Sequence, residues 1–141
     1  MIPAVLLAAI LSFMSATTPA DETRHVLAPC PASPNCVSSQ ADDRAHFTEP
    51  LRFTGDATRA WKRLKSALAT ESRMTTVEDT GSYLHAEARS LVFGFVDDIE
   101  CLLDPAAGMI QVRSASRTGY SDFGVNRRRV ERIREAFSEL P

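Results

Sequence analysis

Apolar residues recur along this chain with three different rhythms, and each predicts a different element. From Asp56 to Ser72 they fall at Ala57, Ala60, Trp61, Leu64, Ala67 and Leu68, a single helical stripe, while Arg59, Lys62, Arg63 and Lys65 lie mostly off it. The last segment, Asn126 to Leu140, repeats the pattern with Val130, Ile133, Phe137 and Leu140, so a second helix is expected there. Between them the rhythm changes to alternation. Residues 74–80, 83–90, 93–103 and 109–116 read as four strands, with turn signals at Gly81-Ser82 and at "DPAAG" over 104–108. Upstream, "HFTEPLRF" at 46–53 reads as a strand interrupted by Pro50, which assigns it to an edge or a bulge. The order is therefore β-α-β-β-β-β-α. Since short turns join the later strands, the expectation is an α+β fold, an antiparallel sheet with both helices on one face.

That architecture sorts side chains by strand parity. Leu84, Ala86 and Ala88, then Ile99, Cys101 and Leu103, then Ile110 and Val112 suit the helix-covered face. The opposite face receives His85, Glu87, Arg89, Asp98, Glu100, Gln111 and Arg113, with acids and bases interleaved.

The third rhythm is an unbroken apolar run. Ile2 to Met14 is interrupted only by Pro3 and Ser12 and leads into small and polar residues ending at Ala20. This predicts a signal peptide over residues 1–20, cleaved after Ala20 or Ala16, although no Lys or Arg precedes the run. The alternative is an uncleaved anchor through residues 2–14. The protein is accordingly expected to be exported, periplasmic or secreted, or else held at a membrane by that segment alone. Residues 21–46, proline-rich and aperiodic, read as an extended lead-in, and 47–141 as a single α+β domain.

Export bears on the cysteines. In an oxidising compartment Cys30 and Cys36, within "PCPASPNC", are suited to a local disulfide; zinc is disfavoured because the spacing is wide and no second ligand pair follows. Cys101, beside Leu102 and Leu103, reads as a buried small hydrophobe. A net charge of -2 argues against nucleic-acid binding, which needs a basic surface.

Chemistry concentrates in two places. On the uncovered face, His85 with Glu87 or Asp98 has the residue types of a general acid and base, but opposite charges on neighbouring strands also support a sheet by themselves. No nucleophile signature, phosphate loop or zinc triad accompanies them, so neither cofactor nor metal is expected. Asp97, Asp98 and Glu100 cannot converge on one ion, because adjacent strand residues point to opposite faces. The second place is "RSASRTGYSDFGVNRRR", 113–129. Here Arg127, Arg128 and Arg129 crowd the positive end of the last helix, and something must compensate. An internal solution has Asp122 as the cap, with carboxylates from Asp97, Asp98 or Glu100 reaching arginines in a structural network with Arg89; it is preferred, since Glu131 and Glu135 also soften the charge by helical spacing. An external one has an anion bound by Arg113, Ser114, Arg117, Asp122, Asn126 and Arg127. Asn126 shares the stripe of Val130 and Ile133 and so must find partners indoors. Gly119 and Gly124 fit a turn with unusual backbone angles, which Tyr120 and Phe123 are expected to pin by packing.

The segments "CPASPNCVSS" (30–39), "YLHAEARS" (83–90), "FGFVDDIE" (93–100) and "RSASRTGYSDFGVNRRRVERIR" (113–134) resemble domain-of-unknown-function family 1499, an uncharacterised bacterial and plastid family. The resemblance runs from about Cys30 to the end and implies one shared domain, without an established activity or catalytic residue. The element order is also similar to TATA-binding-protein-like folds, whose uncovered sheet face carries ligands. On these grounds the expected function is non-catalytic: binding of a small anionic or lipid-like ligand, or of a partner protein, in the cell envelope. The alternative is an enzyme using His85, Glu87 and Asp98.

Overall fold

A computed structural model describes residues 26–141. The expected leader or anchor lies outside the described residues. The elements in chain order are β1 (Cys36–Ser38), β2 (Leu51–Arg52), α1 (Ala57–Leu68), β3 (Met74–Asp79), β4 (Tyr83–Arg89), β5 (Val96–Asp104), β6 (Met109–Ser116) and α2 (Val125–Glu139). They form one six-stranded sheet in the order β1-β6-β5-β4-β3, with β2 also paired to β6. Every strand pairing is antiparallel. The α+β class and the expected succession of elements are both present.

The differences from the expected pattern have local causes. The lead-in contributes a strand of its own. The Cys30–Cys36 disulfide closes a tight loop, and β1 leaves it to pair Cys36 with Ala115 and Ser38 with Arg113. The lead-in is thus part of the sheet's edge. Only Leu51 and Arg52 of the 46–53 segment form a strand, immediately after Pro50. On the other side of the sheet, β5 begins at Val96, three residues later than the alternation suggested, because Ser90 and Phe95 close a hairpin loop. The Ser90 amide donates to the Phe95 carbonyl and the Phe95 amide to Ser90 Oγ, both at 2.9 Å. Gly94, at φ 64°, supplies the left-handed turn between Phe93 and Phe95.

Asp56 starts α1 by accepting the Arg59 amide at 2.7 Å. The helix stops at Leu68, short of Ser72, where the Thr70 hydroxyl and amide both turn back to the Ala67 carbonyl. Ala60, Trp61, Leu64, Ala67 and Leu68 are buried, as the stripe predicts. They meet Leu84, Ala86, Ile99, Cys101, Ile110 and Val112 from the sheet and Val130, Ile133 and Phe137 from α2 in one apolar cluster. Both helices therefore cover the same face. Burial pushes the Cys101 thiol up to about 12, so it stays neutral and packs as an apolar group. Two polar ties fix α1 at its flanks. Trp61 Nε1 and Lys65 Nζ both donate to Asp79 at the end of β3, at 3.0 and 2.9 Å, and Arg63 stacks over the Phe137 ring at 4.3 Å. No helix among the described residues is long and apolar enough to cross a membrane.

The segment between β1 and β2 is held by a buried histidine. His46 Nδ1 lies 2.8 Å from Asp43 Oδ1, and Nε2 lies 2.9 Å from the Ser33 carbonyl. Both neighbours are acceptors, so the doubly protonated ring fits best, and first the Ser33 carbonyl and then Asp43 raise the His46 pKa above its ordinary value. A raised folded-state pKa stabilises the fold fully below the unfolded pKa and loses that contribution as pH climbs through the folded value. Raising the pH from about 6 to about 9 is therefore expected to lower the melting temperature. His46→Gln should flatten that slope; an identical slope in the variant would refute the assignment.

Candidate functional site

The junction between β6 and α2 is built around Asn126, the second residue of the helix and fully buried. Its Oδ1 accepts from Ser114 Oγ at 2.6 Å and from Arg129 Nη1 at 2.9 Å. Its Nδ2 faces Asp122 Oδ2 at 2.8 Å, Ser116 Oγ at 2.9 Å and the Asn35 carbonyl at 3.3 Å. Arg129, one turn along, is only 7% exposed and donates through Nη2 to Asp97 at 2.7 Å. Asp97 reaches it because β5 turns that carboxylate to the helix side, while Asp98 and Glu100 point the other way. Asp122 closes the helix start, accepting the amides of Gly124 and Asn126 at 2.9 and 3.0 Å. Burial opposes ionisation of Asp122, but the Asn126 and Gly124 donors outweigh it and the pKa is lowered. Arg127 donates to the Phe47 and Ala45 carbonyls, both at 2.8 Å, and Arg128 to the Phe123 carbonyl at 2.8 Å.

Of the crowded arginines, Arg129 is paired with a carboxylate within the chain, while Arg127 and Arg128 bond main-chain carbonyls. Ser114 and Asn126, proposed from sequence as ligand contacts, lie in the interior with their polar atoms turned to one another. Arg127 is spent on main-chain carbonyls.

The opposite face of the sheet carries a second network. Tyr83 donates to Glu100 Oε1 at 2.8 Å, and Arg113 to Glu100 Oε2 at 3.2 Å. Next to it His85 Nε2 sits 2.7 Å from Asp98 Oδ1, so the histidine and a carboxylate are within the reach that acid–base chemistry needs. Arg117 bridges this group. Its Nε and Nη2 each donate to Asp98 at 2.8 Å, and Nη2 also meets Glu87, which pairs in turn with Arg89 at 3.3 Å. Desolvation pushes the Asp98 pKa up, yet Arg117 and then His85 prevail and hold it below the ordinary carboxylate value. His85, Glu87 and Asp98 offer ligand atoms within 4.8 Å of one another, enough for a cation. The cation at that point is the Arg117 guanidinium, which a metal ion would have to displace. Part of this face is also covered, since Leu27 in the lead-in is buried, as are Ser38 and Ala115.

A third feature was not legible as a site. The loop joining β4 to β5 leaves Leu91 77%, Val92 78%, Phe93 75% and Phe95 57% exposed, and in the β6–α2 connection Tyr120 is 72% and Phe123 85% exposed. The sequence reading had Phe93 and Phe95 in a strand and Tyr120 and Phe123 packed down on their turn. The turn is instead held by Asp122, by Phe123 itself at φ 53°, and by Asn35 Nδ2 donating to the Gly119 carbonyl at 2.9 Å, so neither ring is needed to hold it. Both loops stand at the same end of the sheet, because the Arg117 amide donates to the Val96 carbonyl at 3.0 Å.

Residues 26–137 match the family model described as "Protein of unknown function (DUF1499)". The chain belongs to the DUF1499 family. No curated protein matches it.

In this DUF1499 domain, Asn35 is a site residue that sequence reasoning overlooked, and Arg129 was named only among the crowded arginines without being singled out as the buried one. Arg129 had a signal: it stands three residues after Asn126 and four before Ile133, on the apolar stripe. Asn35 had none, since apart from Ser33 its partners Ser116, Gly119 and Asn126 lie more than eighty residues away.

Two outcomes follow from these networks. Removing one partner of a buried ion pair strands the other charge, so Asp97→Ala and Arg129→Ala should each destabilise by about 3–5 kcal/mol in urea unfolding. Because the pair acts as a unit, the double variant should cost clearly less than their sum, and simple additivity would contradict the contact. On the open face, the stabilisation due to Asp98 is present above the unfolded carboxylate pKa and is lost as pH falls through its lowered folded value. Arg117→Gln should raise the Asp98 pKa in a carboxyl-carbon NMR titration. An unmoved midpoint would show that Arg117 is not its principal partner.

Proposed function

We propose that this protein is a non-catalytic binding domain of the cell envelope, exported and periplasmic or secreted, which engages its partner through the apolar end of the sheet. One observation carries the reading: six large apolar side chains, Leu91, Val92, Phe93, Phe95, Tyr120 and Phe123, stand exposed at that end. Isolated exposed apolar residues are ordinary, but a cluster of this kind on one end marks a contact surface. The polar alternatives are weaker. An anion at the arginine corner would compete with Asp97, Asp98, Glu87 and Glu100 for Arg129, Arg117 and Arg113. A lipid-like ligand enclosed between sheet and helices would have to displace Leu64, Leu84, Ile99, Ile133 and Phe137, which fill that space. The disulfide is consistent with an oxidising compartment.

The enzymatic alternative has one point in its favour, the 2.7 Å approach of His85 to Asp98. Against it, both oxygens of Asp98 are already held by Arg117. Two surface grooves among the described residues lie away from His85, one between residues 26–30 and 38–43 and another between α1 and the carboxy terminus.

The test is a photoreactive phenylalanine analogue at position 93, with Glu135 on the exposed side of α2 as the comparison position. Irradiation in the native host should give covalent adducts at 93, few at 135, and none at 93 once Leu91 and Val92 are both changed to serine. Equal labelling at the two positions would sink the proposal.

A further inference from the structure

We infer that the partner of the apolar end is a membrane surface bearing anionic headgroups, and that the loop of residues 90–95 inserts its side chains into the interface. This deepens the proposed function and rests on it, and it concerns a contact separate from any held by residues 2–14.

The loop has the construction of an insertion tip. Its base is tied by the paired Ser90 and Phe95 contacts, and Gly94 takes the left-handed turn. Leu91, Val92, Phe93 and Phe95 are therefore held outward by a fixed backbone, instead of collapsing onto the domain. The rings of Phe93 and Phe95 lie side by side, 5.5 Å between centroids. Tyr120 and Phe123 widen the apolar surface from the neighbouring connection. Aromatic and long aliphatic side chains of this kind partition to the headgroup and acyl boundary, at a depth of roughly 5–10 Å.

Charge selects among the occupants. At this same end Arg73 donates through Nε to the Arg89 carbonyl at 3.1 Å, and Arg128 through Nη1 to the Phe123 carbonyl at 2.8 Å. Their bonds go to main-chain oxygens, and among the described residues neither has a carboxylate within ion-pair distance, unlike Arg117 and Arg129, which are matched by carboxylates. The chain as a whole carries -2, yet its apolar tip is flanked by cations. Two copies meeting tip to tip would bring those arginines against each other. An anionic bilayer supplies opposite charge to both arginines while accepting the apolar side chains between them.

The experiment uses the full chain carrying Phe93→Trp. The native Trp61 is buried in the core and stays out of reach of lipid-borne quenchers. On adding vesicles of phosphatidylcholine with about one-third phosphatidylglycerol, the tip emission should shift to shorter wavelength and be quenched by brominated acyl chains. Arg73→Glu with Arg128→Glu should weaken the titration by about tenfold or more, and pure phosphatidylcholine vesicles should do likewise. Circular dichroism and melting must show each variant folded.

Unchanged emission with folded protein would overturn the inference. So would a blue shift that grows with protein concentration in the absence of lipid, which would assign the tip to self-association. If the photoreactive group at 93 labels a protein while vesicles have no effect, the bilayer falls and the binding function stands. If position 93 gives no adduct, both fall.

Discussion

A guanidinium under a helix can be kept there only if its charge meets a carboxylate and its N–H groups meet acceptors, because desolvation otherwise costs several kcal/mol. Arg129 imposes that condition on everything around it. Asp97 must point to the helix side, which fixes the parity of β5. Asn126 must turn its carbonyl oxygen toward Arg129, which leaves its amide nitrogen to be satisfied by Asp122, Ser116 and Asn35. Asn35 in turn sits one residue before Cys36, so the disulfide loop is drawn into the same knot. One buried charge therefore couples the lead-in, the end of β6 and the start of α2. Such a knot contributes little net stability compared with an apolar core of equal volume. Its effect is to penalise any arrangement in which α2 enters at another angle.

Two consecutive aspartates show how economically the sheet uses parity. Asp97 serves Arg129 beneath the helix, whereas Asp98 serves Arg117 and His85 on the open side. A register slip of one residue in β5 would swap the faces of its side chains, breaking these ion pairs and turning Ile99 and Cys101 outward. The pairing of Glu100 with Arg113 and Tyr83 makes the same demand on β6 and β4. Electrostatics and hydrophobic burial thus specify the same register, which is the agreement between levels expected of a sequence with one folded state.

These relations also explain what could be read in advance. The α1 stripe, the two hairpins, the inward Ile99 and Cys101 and the outward His85 to Asp98 set follow from periods of 3.6 and 2, so they were visible in the residues. The disulfide followed from spacing and expected compartment. Internal neutralisation of the arginine corner was the preferred reading, but which carboxylate takes which arginine was not legible, because it depends on which one lies over α2 in three dimensions. The loop of residues 91–95 was misassigned for a related reason. Phe93, Phe95 and Ile99 share one parity as strand positions do, and only the Ser90–Phe95 closure removes residues 93–95 from the sheet. Tyr120 and Phe123 looked like packing residues on the general rule that large apolar side chains are buried, a rule that fails here because Asp122 and Asn35 hold the turn by hydrogen bonds without either ring.

The exposed end gains meaning from the rigidity behind it. A floppy apolar loop would lower its own free energy by folding back over the top of the core, where Ala88 and Val130 already close the interior. Here the strands that carry the loop are fixed by Asp98 and Arg117 on one face and by Asp97 and Arg129 on the other, while Ser90 and Phe95 close its base. Because both charged networks lie directly below the tip, they hold the loop's stem in a single orientation. Preorganisation of that kind reduces the ordering cost of any contact such a tip makes. The polar networks and the apolar end are consequently parts of one arrangement, in which internal charge pairing at the strand ends sets the position of side chains that stand outside the core.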